Sequence, residues 1–216
     1  MAGTAISTAI TIALAGSAAA GPKEQGLVNE ATSTLNGFLV DPDYGALKDI
    51  LARARGIMIV PDFIKAGFLV GGQSGDGILM ARGPDGRWSY PAFYELVGGS
   101  VGLQAGASKQ EIIMIIMTDK VLDSLLDGEL TFGGGVAVAA GPTGAEVGAP
   151  VEKADVYTYS RSSWAYAGLV VNGGRVAADN GENRRYYGAP TTPRSILLDR
   201  KHSNSGANPL LRLLGS

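Results

Sequence analysis

Nucleophilic, acid–base and metal chemistry each demand a residue pattern, and this sequence of 216 residues is thin in all three. Its one histidine, His202, lies in the polar, turn-forming run HSNSGAN near the C-terminus. A Ser-His-Asp triad would depend on that single imidazole, and a histidine-rich zinc site is excluded. Gly72-Gln73-Ser74-Gly75-Asp76 approaches a nucleophile elbow, but the fifth position, where that turn needs glycine, holds Asp76. Ser74 therefore reads as a turn serine. Asp41-Pro42-Asp43-Tyr44-Gly45 begins like a calcium loop and lacks the correct third ligand and closing glutamate. No Gly-Lys-Ser/Thr triplet offers a phosphate cradle. Asp76 and Asp85 form a carboxylate pair only if adjacent turns bring them together, and aspartate suits both turns for local backbone reasons. The chemistry points to a protein that is no enzyme and uses no cofactor and no metal.

The elements that would position any binding residues read as strands and turns flanked by helices. Gly56-Ile57-Met58-Ile59-Val60 is an apolar β-branched run stopped by Pro61 and Asp62. Phe68-Leu69-Val70 and Ile78-Leu79-Met80-Ala81 flank a glycine-rich segment, 71–77, which predicts a hairpin loop. Gly83-Pro84-Asp85-Gly86 predicts a β-turn leading to a third strand at Arg87-Trp88-Ser89-Tyr90, so a meander of three strands is expected. Helices are expected over 28–40, with a frayed end at Asn36-Gly37, and from Asp41-Pro42-Asp43 to about Ala54. Glu111 to Met117 reads as a buried strand, with a helix left open by its period. Asp119 would cap a short helix that Gly128 ends, and Leu130 to Ala140 resumes as strand. Val156–Ser160 and 166–171 form an expected hairpin pair, residues 202–208 a linker, and 209–214 a tail that either docks or stays disordered.

Several of these segments carry a family likeness. Ala54-Arg55-Gly56-Ile57, Lys65-Ala66-Gly67-Phe68, Gly71-Gly72, Gly75-Asp76-Gly77, Asp85-Gly86-Arg87-Trp88-Ser89 and Pro91-Ala92-Phe93 resemble the core of SYLF domains. Gly102-Leu103-Gln104-Ala105-Gly106, the small-residue stretch from Gly133 to Gly144, Tyr157-Thr158-Tyr159-Ser160-Arg161, Asn172-Gly173 and Tyr186-Tyr187-Gly188 extend the likeness over roughly residues 27 to 190. One departure is Trp164-Ala165-Tyr166, where the family has Gly-Leu-Phe. The resemblance implies a single α+β domain, a curved antiparallel sheet packed with several helices, over residues 22–200. It also implies a lipid-binding module for anionic headgroups, which are phosphoinositides in eukaryotic members. Actin binding is attributed to fungal members with extra sequence and is not expected here.

Composition narrows the partner. Charged residues make up 18%, hydrophobic ones 45%, and the net charge of -2 argues against a nucleic-acid module, which needs a basic face to displace counterions. Charge is unevenly spread, from -6 over residues 111–155 to +5 over 161–216. Residues 1–21 lack charge and end in Ala18-Ala19-Ala20-Gly21, the pattern of an export leader. Leu14-Ala15-Gly16 matches the approach to a lipoprotein cysteine, but position 17 is serine. Three readings stay open: a periplasmic protein cut after Ala20, a lipoprotein whose cysteine was replaced, and an uncleaved leader.

The expectation is binding of anionic phospholipids or a membrane surface in the bacterial envelope. The alternative is a structural or protein-interaction module that touches no lipid. Candidate contacts are Lys48, Arg53, Arg55, Lys65, Arg82, Arg87 and Arg161, with Phe63, Trp88 and Trp164 as interfacial aromatics; Trp88, between a turn and a strand, also reads as a core residue.

Overall fold

The computed structural model describes residues 21–133, 135–141, 154–161 and 173–215, with the backbone alone at 67–70 and 100–107. Two very long strands dominate it, β1 (Gly56–Ala81) and β2 (Ala92–Ile116), paired antiparallel from Gly56↔Ile116 to Leu79↔Ala92. The expected three-strand meander is thus one ribbon. Segment 71–77 is not a loop: Gly71, Gly72 and Gln73 pair with Ser100, Gly99 and Gly98 inside the sheet. Pro61 and Asp62 do not end the strand either. They sit in a register shift between Val60 and Phe63, where a bulge accommodates the missing proline donor. The third strand reduces to an isolated bridge between Arg82 and Trp88 in the ribbon's tip.

The ribbon curls until its tip meets its base. The Arg82 amide donates to the Arg55 carbonyl at 2.8 Å, joining the two ends of β1. This closure explains the Gly-Asp-Gly motif. A Cβ at Gly75 would lie 2.6 Å from the Asp62 carbonyl oxygen, and one at Gly77 2.8 Å from that of Ile59. Glycine is required there by close approach of the strand to itself.

Further strands complete the sheet: β3 (Glu129–Thr131), β4 (Val138–Ala140), β5 (Val156–Ser160) and β6 (Arg175–Ala178). β1 occupies one edge of β2, so β6 at Tyr94–Val97 and β5 at Ile112–Ile116 share the other. β3 pairs with β6, and β4 lies parallel to β5. The expected strand over 130–140 is therefore two short ones with different partners. The second half of the predicted 156–171 hairpin lies outside the described residues.

Helix α1 (Pro22–Val40) starts six residues earlier than its pattern implied, runs through Gly37 unbroken, and buries Leu27, Val28, Ala31, Leu35 and Phe38 at helical spacing. The second expected helix splits into a 3-10 turn at Pro42–Tyr44 and α2 (Leu47–Leu51). In α3 (Asp119–Leu126) the N-cap is Thr118, not Asp119, which stands in the first turn where its charge favours the helix end; Gly128, at φ 106°, ends the segment. Met58, Met114 and Ile116 meet Val121 and Leu125 of α3, while Ile57, Ile59, Ile113 and Ile115 take the opposite face by the two-residue strand period. Both faces of the sheet's base are covered, so its strands are apolar without alternation, each large side chain contributing about 2 kcal/mol.

Helix α4 (Asn180–Tyr187) docks through Asn183, whose amide side chain accepts from the Phe93 amide at 2.8 Å and donates to the Phe93 carbonyl at 3.1 Å. α5 (Pro193–Leu197) follows a Thr192–Ser195 capping box. The expected linker instead folds into a 3-10 turn at Ser205–Ala207 leading to α6 (Asn208–Leu213), and the tail docks. Ala207 and Leu210 are fully buried, and Gln25 of α1 donates to the Gly206 carbonyl at 3.1 Å.

Candidate anion-binding surface

Closure of the ribbon gathers cations that are far apart in sequence. Arg53 and Arg55 follow α2; Arg82 and Arg87 flank the tip turn. The Arg82 amide bonds Arg55, and its guanidinium donates to the carbonyls of Ala52 and, at 2.9 Å, Gly86. Lys48 is exposed one turn earlier on α2. Arg200, which no sequence motif marks, reaches the same turn across 115 positions: its Nη1 and Nη2 donate to Asp85 Oδ2 and Oδ1 at 2.7 and 3.0 Å. Arg87 Nε donates to Asp85 Oδ2 at 2.8 Å, and the Arg87 carbonyl accepts from Arg200 at 2.5 Å. These guanidiniums hold the Asp85 carboxyl well below the usual carboxylate range, the Arg200 hydrogen bonds leading and those from Arg87 following.

Six cations at this end, Lys48, Arg53, Arg55, Arg82, Arg87 and Arg200, face the nearby acids Asp49, Asp85 and Asp119, of which Asp119 pairs with Arg55 at 3.2 Å. That leaves three positive charges in excess on a chain whose net charge is -2. Arg200 itself is held at φ 52°, a left-handed conformation that costs a non-glycine residue about 1 kcal/mol.

Other sequence-predicted residues lie elsewhere. Arg161 lines a groove of about 670 Å³ between α1 and the ribbon. It pairs with Glu111 at 3.1 Å and Asp41 at 3.8 Å and stands 5.0 Å from the centre of the Phe38 ring. Lys109 in the same groove pairs with Asp62 at 2.6 Å. With Glu30 also lining it, this groove holds three acids (Glu30, Asp62 and Glu111) against two bases (Lys109 and Arg161) and offers no excess positive charge. Lys65 sits half-buried along the ribbon, opposite Ser108. Phe63, 2% exposed, and Trp88, 7% exposed, belong to the core, because the bulge and the tip turn fold their rings inward; the Arg82 guanidinium lies 6.0 Å from the centre of the Trp88 ring. Trp164 falls outside the described residues.

The residues weighed for catalysis do not converge. Asp76 pairs with Lys23 at 3.4 Å, whereas Asp85 is held by Arg87 and Arg200. His202 packs against Tyr187 in a tilted contact, ring centres 5.5 Å apart. Among the described residues no group of three or more His, Cys, Asp or Glu is placed to hold a metal ion, and no helix is long and apolar enough to cross a membrane.

A curled two-strand ribbon, short strands along its second edge and helices around it define a single α+β domain, as the sequence motifs implied. Its particular family follows from comparison. A profile described as "Ysc84: Las17-binding protein actin regulator" matches residues 97–216, and the chain belongs to this family of SYLF domains. LAS seventeen-binding protein 3 of Saccharomyces cerevisiae is 36% identical over 174 residues, covering 78% of this chain and 38% of the yeast protein. Protein YSC84 of the same yeast is 35% identical over 173 residues, 77% of this chain and 37% of its own length. Human SH3 domain-containing YSC84-like protein 1 is 32% identical over 179 residues, 81% of this chain and 52% of its own. The chain thus spans between 37% and 52% of these relatives' lengths. No solved structure matches it.

Proposed function

We propose that this chain is a noncatalytic module that binds anionic lipid headgroups through the basic end formed by Arg53, Arg55, Arg82, Arg87 and Arg200, with Lys48 beside them. One observation carries the reading: the tip-to-base closure concentrates these cations in a protein that is acidic overall. Each basic side chain near an anionic surface contributes about 1 kcal/mol, so several must act together. Arg161, Lys65, Phe63 and Trp88 drop out of the contact set, the first two by position and the aromatics by burial.

The setting is part of the proposal. A charge-free leader over residues 1–21 makes the bacterial envelope the place of action, and bacterial anionic phospholipids the target. Amino-terminal sequencing of the protein recovered from fractionated cells of the native host tests this: a start at Gly21 in the envelope fraction supports export, and an intact start found only in the cytosol overturns it.

Co-sedimentation with phosphatidylcholine vesicles, with and without phosphatidylglycerol, tests the lipid reading. The expected result is retention on the anionic vesicles only, weakening as salt shortens the Debye length from about 10 Å at 0.1 M to about 3 Å at 1 M. Equal retention on both, or none, overturns it. A protein-interaction role is the second reading, favoured by the Las17-binding names of the yeast relatives; it predicts no vesicle binding at any salt concentration.

A further inference from the structure

The tip of the ribbon holds its own anion. Asp85 accepts two parallel hydrogen bonds from the Arg200 fork, 2.7 and 3.0 Å, and a third from Arg87 Nε at 2.8 Å. Two guanidiniums converging on one set of oxygens is the arrangement that recognises a phosphate as readily as a carboxylate, because both present oxygens spaced to match the fork. The site is not enclosed: the side chains of Asp85 and Arg87 are 40% and 75% exposed, and that of Arg200 is 27% exposed. Exposed pairs of this kind hold weakly and exchange readily.

Two local features are spent on keeping the pair in place. Arg200 adopts its left-handed φ of 52°, and Gly83 leaves the room: a Cβ there would collide with the Arg200 guanidinium and come within 2.8 Å of Asp85 Oδ1. Asp85 also accepts from the Arg87 amide at 3.2 Å, which fixes the carboxylate over the turn. A turn needs only that last contact. The clasp from a residue 115 positions away goes beyond it.

We infer that Arg87 and Arg200 form a phosphate-binding fork that Asp85 fills in the free protein, so that Asp85 is a built-in competitor which a phosphate group displaces. This rests on the reading of the basic end as an anion-binding surface and adds a regulator to it. Displacement frees Asp85 to turn to solvent, and both guanidiniums exchange its carboxylate oxygens for phosphate oxygens. The competitor lowers affinity for weakly charged surfaces and leaves dense anionic ones able to bind, since several phosphates offer more charge than one carboxylate.

Asp85→Asn is the test, because asparagine keeps the contact to the Arg87 amide and loses the charge. Binding to phosphatidylglycerol-containing vesicles is expected to tighten about five-fold, the effect of removing one exposed competing charge. If wild type binds and Asp85→Asn binds no tighter, the competitor is overturned while the lipid reading stands; if neither binds, both fall. In a background carrying Arg87→Gln and Arg200→Gln, Asp85→Asn must make no difference. A gain of the same size there shows a general charge effect and overturns the fork, and the cycle also covers any loss of turn stability in one variant. Given the gain, inorganic phosphate at constant ionic strength assigns the source. Competition with vesicles supports a fork that accepts free phosphate, and no competition supports one filled only by headgroups at a surface.

Discussion

Basic side chains grip carboxylates in two regions of this protein, with opposite consequences. Where α1 meets α4, Arg185 bonds Glu24 and Lys23 bonds Glu182, and both carboxylate side chains are only 3% exposed. Asp179 caps α4 by accepting from the Glu182 amide at 2.7 Å, which orients the second carboxylate. At the ribbon's tip, Asp85 has a side chain 40% exposed. An enclosed carboxylate cannot trade its partner for water and must stay paired, so the first network fastens the N-terminal helix. The exposed one trades partners cheaply. The same residue types therefore build a joint in one place and a replaceable contact in the other, and burial decides between them.

Breaking the joint has the largest expected effect on stability. Glu24→Ala removes a charged hydrogen bond from an enclosed site and is expected to cost about 2 kcal/mol, measured by urea unfolding. A loss no larger than that of an exposed substitution would erase the contrast between the regions.

The tip responds in the opposite sense. Replacing Arg87 and Arg200 together with glutamine is expected to change unfolding by no more than about 0.5 kcal/mol. The same pair of changes is expected to weaken retention on anionic vesicles about ten-fold or more, at roughly 1 kcal/mol per cation. A double variant that unfolds easily and binds unchanged would reverse the assignment of the two regions.

A smaller, pH-dependent difference sharpens the comparison. Burial alone would raise the Glu24 carboxyl, but the hydrogen bond from Arg185, that from its own backbone amide, and then the charges of Arg185 and Lys23 outweigh it and hold the group below its ordinary value of 4.5. A depressed folded-state value means that the unfolded chain takes up the proton first. This contribution to stability is therefore present above pH 4.5 and is lost as pH falls through the lower folded value. Thermal unfolding across that acid range should show a steeper decline in wild type than in Glu24→Gln. Asp85→Asn should also flatten the acid decline, but by less than Glu24→Gln does, because solvent screens much of the exposed clasp.

Much of the domain was legible in the sequence because it is local. The run from Ile57 to Val60, the isoleucine-rich segment before Met117 and the apolar face of α3 each carry their period within a few residues. The motif series was likewise sufficient to indicate the family. The glycines of 71–77 misled because glycine has two uses, positive φ in turns and the absence of a Cβ, and only contact with Val60 and Asp62 shows that Gly75 and Gly77 serve the second. The sequence also marked Arg53, Arg55, Arg82 and Arg87 as cations near turns. It gave no sign of Arg200, whose partner lies 115 positions away and whose neighbours Asp199 and Lys201 pair with each other at 2.9 Å.

By itself, then, the amino-acid order determined the apolar strand runs, the buried face of α3, the family and the absence of a recognisable catalytic motif, since each is written in short-range pattern. Tertiary structure alone decided that the ribbon closes tip to base, that Phe63 and Trp88 turn inward, and which carboxylates are enclosed. Those outcomes depend on the path of two strands of 26 and 25 residues, and small twists and bulges summed over such lengths set which distant groups meet.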